Sequence, residues 1–172
     1  MKKTLLALLL VFPPVISADH NQQLFSGAPE FSIQINGVSR HNGDCGGPCN
    51  ENNAGFGFEF RETISGWTTA LAAGAFKNSI DKQSFYFGGA KTYRWGKNYA
   101  IEVGIFGGLL NYAIQLNETE QRQGKRDKIL APILMPIIVF DFNYSRLNLL
   151  YLPSVSDDIT AAWFLQMVVP FK

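Results

Sequence analysis

The chain has 172 residues, with 15 basic against 14 acidic side chains and a formal charge of +1. Such a balance argues against nucleic acid as a partner, which wants a basic face, and the length suits one domain. No stretch approaches the roughly 20 continuous apolar residues of a transmembrane helix, so passage through a bilayer would need strands closed into a barrel with every edge paired.

The first 18 residues have the three parts of an export signal. Lys2 and Lys3 supply positive charge, Leu5 to Phe12 the apolar core, and Ile16-Ser17-Ala18 a small-residue cleavage site. The core is too short to span a bilayer, and Pro13-Pro14 break it. No Cys follows the cleavage site, so lipid attachment there is not indicated. The expected organisation is a signal peptide over 1–18, a short periplasmic N-terminal segment over 19–29 and an outer-membrane β-barrel over 30–172. Loss of Lys2 and Lys3 leaves 13 basic residues against 14 acidic ones, a net of −1. That gives no sign of a strongly charged ligand.

Downstream, apolar and small or polar residues alternate with a period of two. Phe56, Phe58 and Phe60 alternate with Gly57 and Glu59; Tyr99, Ile101, Val103 and Ile105 with Ala100, Glu102 and Gly104; and Trp163, Leu165, Met167, Val169 and Phe171 share one parity. Successive strand side chains point to opposite faces, so each set forms an oily stripe. Eight strands are predicted: Glu30–Arg40, Ala54–Glu62, Trp67–Phe76, Ser84–Tyr93, Tyr99–Asn111, Ile129–Phe140, Tyr144–Leu152 and Thr160–Phe171. Each is close to the roughly 9–11 residues of a tilted transmembrane strand.

The connections after strands two, four and six are short. Those after strands one, three, five and seven (His41–Asn53, Lys77–Gln83, Tyr112–Lys128 and Pro153–Ile159) are mostly longer or more polar. Outer-membrane barrels pair short periplasmic turns with longer outside loops. The predicted fold is therefore all-β, an eight-stranded antiparallel up-and-down transmembrane β-barrel.

A soluble periplasmic sandwich or lipocalin-like barrel also alternates. Against it, Trp67, Tyr93, Trp95, Tyr99, Tyr144, Tyr151 and Trp163 crowd toward strand ends, as interfacial girdles do. The inward set, rich in Gly and Ala with Glu59, Arg61, Glu102, Arg146, Asn148 and Gln166, suits a narrow ion-paired lumen better than a dry core.

Cys45-Gly46-Gly47-Pro48-Cys49 lies in the first long connection of an exported chain, where disulfides persist. A small bridge stiffening that loop is expected. Redox catalysis lacks a thioredoxin-like setting, and metal binding by the two Cys and His41 lacks a fourth ligand. Pro132, Pro136 and Pro153 lie in or beside strands six and seven, where proline withholds a ladder donor. Lys125, Arg126 and Lys128 sit in a mixed-charge loop that reads as solvated, with lipid A phosphates as the alternative partner.

Several short segments resemble the lipid A palmitoyltransferases (PagP), a family of eight-stranded outer-membrane enzymes. They are Gly55-Phe56-Gly57, the run from Ala75 to Lys82, Pro132-Ile133-Leu134-Met135-Pro136 and Tyr151-Leu152-Pro153, in the family's order. A broader group of PagP-like barrels, some phage-encoded, looks similar as well, sharing Asn50-Glu51, Asn78-Ser79 and the pattern of Ser84 to Gly88. The resemblance implies acyl transfer from a phospholipid to lipid A, and a lateral opening for lipid beside the prolines. It also implies a functional His on the first strand and an Asp-Ser pair in the loop after the third.

Ser79 matches that Ser, Asn78 stands where the family has Asp, and His41 is the histidine near the outer end of the first strand; a strict register would place Asn36 there. The family's N-terminal amphipathic helix has no counterpart in Asp19 to Pro29, which is short and polar.

Acyl transfer needs an activated hydroxyl and stabilisation of an oxyanion. Ser79 and His41 would serve as nucleophile and base if their side chains meet, with Asp44 or Asp81 orienting the ring. Asn78 can donate to an oxyanion but cannot act as a base. The competing reading of Lys77 to Lys82 is an exposed turn, where Asn, Ser and Asp are favoured anyway.

The leading expectation is a PagP-like acyltransferase with catalytic Ser79, His41 and Asn78, no cofactor and no metal. Its partners would be membrane lipids (phospholipid and lipid A), with no nucleic acid and a monomeric state. The alternative is a non-catalytic barrel of the same shape that modifies the envelope or blocks a surface receptor. A solute pore is disfavoured, because side chains fill an eight-stranded lumen.

Overall fold

The computed structural model describes residues 27–42, 49–96, 99–114, 127–154 and 161–171. Among them are eight strands: β1 (Gly27–His41), β2 (Asn52–Ile64), β3 (Trp67–Lys77), β4 (Gln83–Trp95), β5 (Ala100–Ala113), β6 (Lys128–Asp141), β7 (Arg146–Leu152) and β8 (Ala162–Pro170). Each pairs antiparallel with its sequence neighbour, and β8 returns to β1, so the sheet closes into a barrel. The predicted fold and all eight strands are present.

Local chemistry sets the ends. Between β2 and β3 the chain reverses at Ser65 (φ 50°) and Gly66 (φ 81°), with Ile64 opposite Trp67. Two successive positive φ values define the primed turn whose twist suits a tight hairpin. The turn before β7 is longer than predicted. Asp141 Oδ1 accepts the Asn143 N–H at 2.9 Å, and the Tyr144 N–H donates to the Phe142 carbonyl at 2.9 Å. Tyr144 is consumed in that turn, and the strand begins at Arg146. β5 continues past its predicted end at Asn111, because Tyr112 and Ala113 pair with Ile129 and Lys128.

The barrel is inside-out. Phe31, Phe56, Phe58, Phe60, Ile101, Val103, Ile105, Leu134 and Met167 are exposed on its outer wall. Trp67, Trp95, Tyr99 and Tyr144 gather at the short-turn rim, exposed as well. A largely apolar exterior with an aromatic rim is the surface that meets hydrocarbon in a membrane barrel.

The lumen has two storeys. Toward the short-turn rim, Glu102 (1% exposed) accepts from Arg61 at 2.5 Å, Arg94 at 3.0 Å and Thr92 at 2.7 Å. Arg94 also reaches Asp141 at 2.5 Å. Beside them Arg146 bonds Glu30, Glu59 at 3.0 Å and Ser32 at 2.7 Å. Burying such charges is tolerable only when each is paired and hydrogen-bonded. This storey is the ion-paired lumen expected from Glu59, Arg61, Glu102 and Arg146.

The storey toward the long-loop rim departs from that expectation. It is an apolar cluster that includes Phe76, Phe106, Leu110, Ile133, Met135, Ile137, Leu150 and Leu152. Most of these residues come from β5, β6 and β7. Between Ile129 and Phe140, β6 is apolar on both faces, so alternation could not show which of its residues face in.

Candidate functional site

Phe76 lies at the end of β3, and two residues later the chain enters the loop to β4. Asn78 is fully buried there. Its Oδ1 accepts the N–H groups of Ile80 (3.2 Å) and Lys82 (3.0 Å), while its Nδ2 donates to the Ala113 carbonyl at 2.6 Å. The Asn78 N–H donates to the Lys82 carbonyl at 2.8 Å, and Asp81 takes a positive φ of 59° within the loop. Asn and Asp tolerate that left-handed geometry. The amide of Asn78 therefore closes the loop and pins it to β5. An ionised Asp could accept twice but could not donate to Ala113.

Ser79 is buried, and its hydroxyl hydrogen-bonds that of Tyr112 on β5. Its carbonyl accepts the Asn50 N–H at 2.7 Å, and Asn50 Nδ2 donates to the Asn78 carbonyl at 3.0 Å. The loop is thus held from β5 and from the segment leading into β2.

His41 ends β1, opposite Ala162 of β8. Its Nδ1 is buried and has no hydrogen-bond partner among the described residues. The hydroxyl of Ser79 is engaged by Tyr112 rather than by His41. Asp81, one expected orienter of the ring, is exposed and pairs with Lys77 at 2.9 Å. Asp44, the other, lies outside the described residues, as do Cys45, Lys125 and Arg126. The expected Cys45–Cys49 bridge therefore falls partly outside them. Lys128 is described, with its ammonium 5.8 Å from the Phe85 ring centroid.

Tyr112 was missed by sequence reasoning, which assigned it to the loop. A usable signal existed, because it continues the inward parity of Glu102, Phe106 and Leu110 along β5. Tyr112 belongs to the apolar cluster of the upper storey, so the Ser79–Tyr112 pair stands where that storey meets the long-loop rim.

The apolar storey encloses a cavity of about 70 Å³, whose lining includes neither Ser79 nor Tyr112. Its apolar lining includes Phe76, Phe106, Leu110, Met135, Leu150 and Phe164; Gln34, Asn53, Glu59 and Asn148 contribute polar groups. At about 10–15 Å³ for each water-sized probe, the space takes roughly five such groups. Tyr86 donates to Gln34 at 2.6 Å and Gln34 to Glu59 at 3.0 Å, which ties the cavity to its charged floor.

The wall beside the cavity is incompletely laddered. β5 and β6 pair along their whole length, from Ala100–Asp141 to Ala113–Lys128. β6 and β7 pair only from Asp141–Arg146 to Ile137–Leu150. Residues 128–136 of β6 thus extend past the last β7 partner. Pro132 and Pro136 lie in that unpaired half, both outward-facing and with the same parity, and Pro153 follows the end of β7. Residues without an N–H fit a strand edge that carries no neighbour. Among the described residues, Pro132 and Pro136 thus sit on a stretch of β6 with no partner on the β7 side, whereas Pro153 lies just past a strand end.

No family model and no curated protein matches the chain. Among solved structures, it is similar to the Yersinia pestis outer membrane protein Ail in a phospholipid bilayer nanodisc. The identity is 18%, the coverage 83% of this chain and 99% of that one, and the TM-score 0.41. A crystal structure of Neisserial surface protein A is similar at 12% identity, over 84% of this chain and 96% of that one, with a TM-score of 0.48. A second Ail structure, in complex with the heparin analogue sucrose octasulfate, gives 13%, 83%, 97% and 0.45. At these identities and scores nothing about ligand or activity transfers to this chain.

Proposed function

We propose that this chain is a bacterial outer-membrane barrel that receives an acyl chain of an outer-leaflet lipid in the upper storey of its lumen. Acyl transfer from phospholipid to lipid A, implied by the PagP resemblance, is the reaction such a site would serve. The observation that carries the lipid reading is the division of the lumen into an apolar chamber over an ion-paired floor. The chamber binds hydrocarbon, and the floor stops it.

The gap between β6 and β7 gives a lateral route from the bilayer. Met135, flexible and polarizable, lets the chamber adapt to a guest longer than the resting space. In this reading Ser79 attacks the donor ester carbonyl and forms an acyl–serine ester as the lysophospholipid leaves. A lipid A hydroxyl then takes the acyl group and regenerates the Ser79 hydroxyl. Once its ring and Ser79 come within reach, His41 takes the serine proton and passes it to the departing lysophospholipid oxygen; in the second step it takes the lipid A hydroxyl proton and returns it to Ser79.

One observation favours a second reading. Asn78 is committed to its loop and to Ala113, and Ser79 to Tyr112. Both fit a barrel that binds lipid without chemistry and acts on the envelope by its presence at the surface.

Mass spectrometry of lipid A from cells expressing the chain, beside Ser79→Ala at equal membrane abundance, separates the two. Acyl transfer predicts a gain of one acyl chain that vanishes in the variant. An unchanged lipid A profile, with the barrel confirmed in the outer membrane, leaves the non-catalytic reading.

A further inference from the structure

The outer wall carries a feature separate from the lumen. The register lines up Leu71, Gly89, Gly107 and Leu134 across β3, β4, β5 and β6. Leu71 and Leu134 are exposed on the exterior, whereas the two glycines between them add no side chain. The result is an exterior groove of about 710 Å³. Phe87 and Leu109 stand one step above it toward the long-loop rim, and Lys91 and Ile105 one step below.

Lys91 is the informative member. It is exposed on an otherwise oily face of β4, between Phe87 and Trp95. A cation on the lipid face is destabilising unless it reaches the headgroup level. The Lys91 ammonium lies 5.7 Å from the Trp67 ring centroid, on the short-turn side of the groove. Trp67 packs on Tyr93 and Tyr93 on Trp95, forming the aromatic rim that marks the interface. Glu62 occupies the same row but two strands away, about 10 Å by strand spacing. The cation thus sits beside the aromatic rim, directly below the groove.

We propose that this groove binds one phospholipid of the short-turn-side leaflet, with its phosphate on Lys91 and one acyl chain laid over Gly89 and Gly107. Charge complementarity selects the phosphate. The missing side chains select the chain, because an unfilled trough would forfeit dispersion contacts along its lining. The site rests on the bilayer location of the barrel and is independent of the lumen chamber.

The test is native mass spectrometry of the folded chain in micelles with palmitoyl-oleoyl phosphatidylglycerol, and with the phosphate-free diacylglycerol bearing the same chains. One phosphatidylglycerol adduct is expected to survive, with little diacylglycerol retained. Lys91→Met is expected to lower adduct occupancy about fivefold, the effect of roughly one basic contact, and Lys91→Arg to retain it.

Gly107→Leu fills the trough and is also expected to lower occupancy. A Cβ there meets Leu134 Cδ1 at 3.5 Å, an ordinary contact, so the backbone need not move. Equal adducts for Lys91→Met and the parent chain, equal retention of diacylglycerol, or a protein dimer in place of lipid adducts would overturn the site. A chain that fails to fold as a heat-modifiable barrel in micelles would overturn the bilayer location and this site with it.

Discussion

The side-chain amide of Asn78 donates to the backbone carbonyl of Ala113 at 2.6 Å, joining the loop after β3 to the end of β5. The same amide accepts two N–H groups from its own loop. A position that reads from sequence as a catalytic Asp replaced by Asn is, in the folded barrel, a buried clamp hydrogen-bonded through both its amide oxygen and its amide nitrogen. Asn78→Asp replaces the donor with an acceptor facing a carbonyl. It is expected to destabilise the barrel by about 1–3 kcal/mol, the usual cost of an unsatisfied buried group. The urea midpoint of the barrel in micelles measures this; an unchanged midpoint would show that the clamp contributes nothing.

Ser79 and Tyr112 form the second cross-link of that loop. Tyr112→Phe and Ser79→Ala each remove one hydroxyl of a buried pair. A double-mutant cycle is expected to return a coupling of about 0.5–1.5 kcal/mol. Additive single effects would mean that the two hydroxyls do not bond in the folded protein.

The charged floor makes a larger claim. Glu102 is shared by Arg61, Arg94 and Thr92 and is almost wholly buried. Glu102→Leu leaves two guanidinium groups short of a partner and is expected to cost about 3–5 kcal/mol. Because the network is shielded from solvent, raising the salt concentration is expected to change the loss little. Unfolding titrations at low and high salt test both parts, and a small, salt-sensitive loss would place the network in contact with water.

The chamber reading predicts a steric competition. Ala72 lines the cavity and is 5% exposed. Ala72→Leu projects extra carbons into the space and displaces about two methylenes of any guest chain. At about 0.8 kcal/mol each, binding is expected to weaken roughly tenfold. Titration with a fluorescent fatty acid measures it, and unaltered affinity would put the guest elsewhere.

The outward-facing phenylalanines of β2, the buried carboxylates and guanidinium groups, and the count of eight strands were all legible in the chain. Strand alternation is local: a residue's face depends only on its parity, and Phe56, Phe58 and Phe60 could share only one side. A short connection carrying Gly was legible from Thr63 to Gly66, but β2 runs on through Ile64 and the reversal itself is confined to Ser65-Gly66.

Parity, however, says nothing about height along the barrel axis. Closure and register decided that Arg61 meets Glu102, 41 residues away, and that Arg146 meets Glu30, 116 residues away. They also stacked the ion pairs below and the apolar residues above, and gave Ser79 to Tyr112 rather than to His41. The gap beside Pro132 and Pro136 belongs to this second kind. The prolines were visible as missing donors, but only the end of the β6–β7 ladder at Ile137–Leu150 showed that the stretch carrying them has no β7 partner among the described residues. Local periodicity thus determined which residues face inward wherever the two faces differ in polarity, as they do in β2 but not in β6, whereas the non-local pairing of eight strands decided which of them touch.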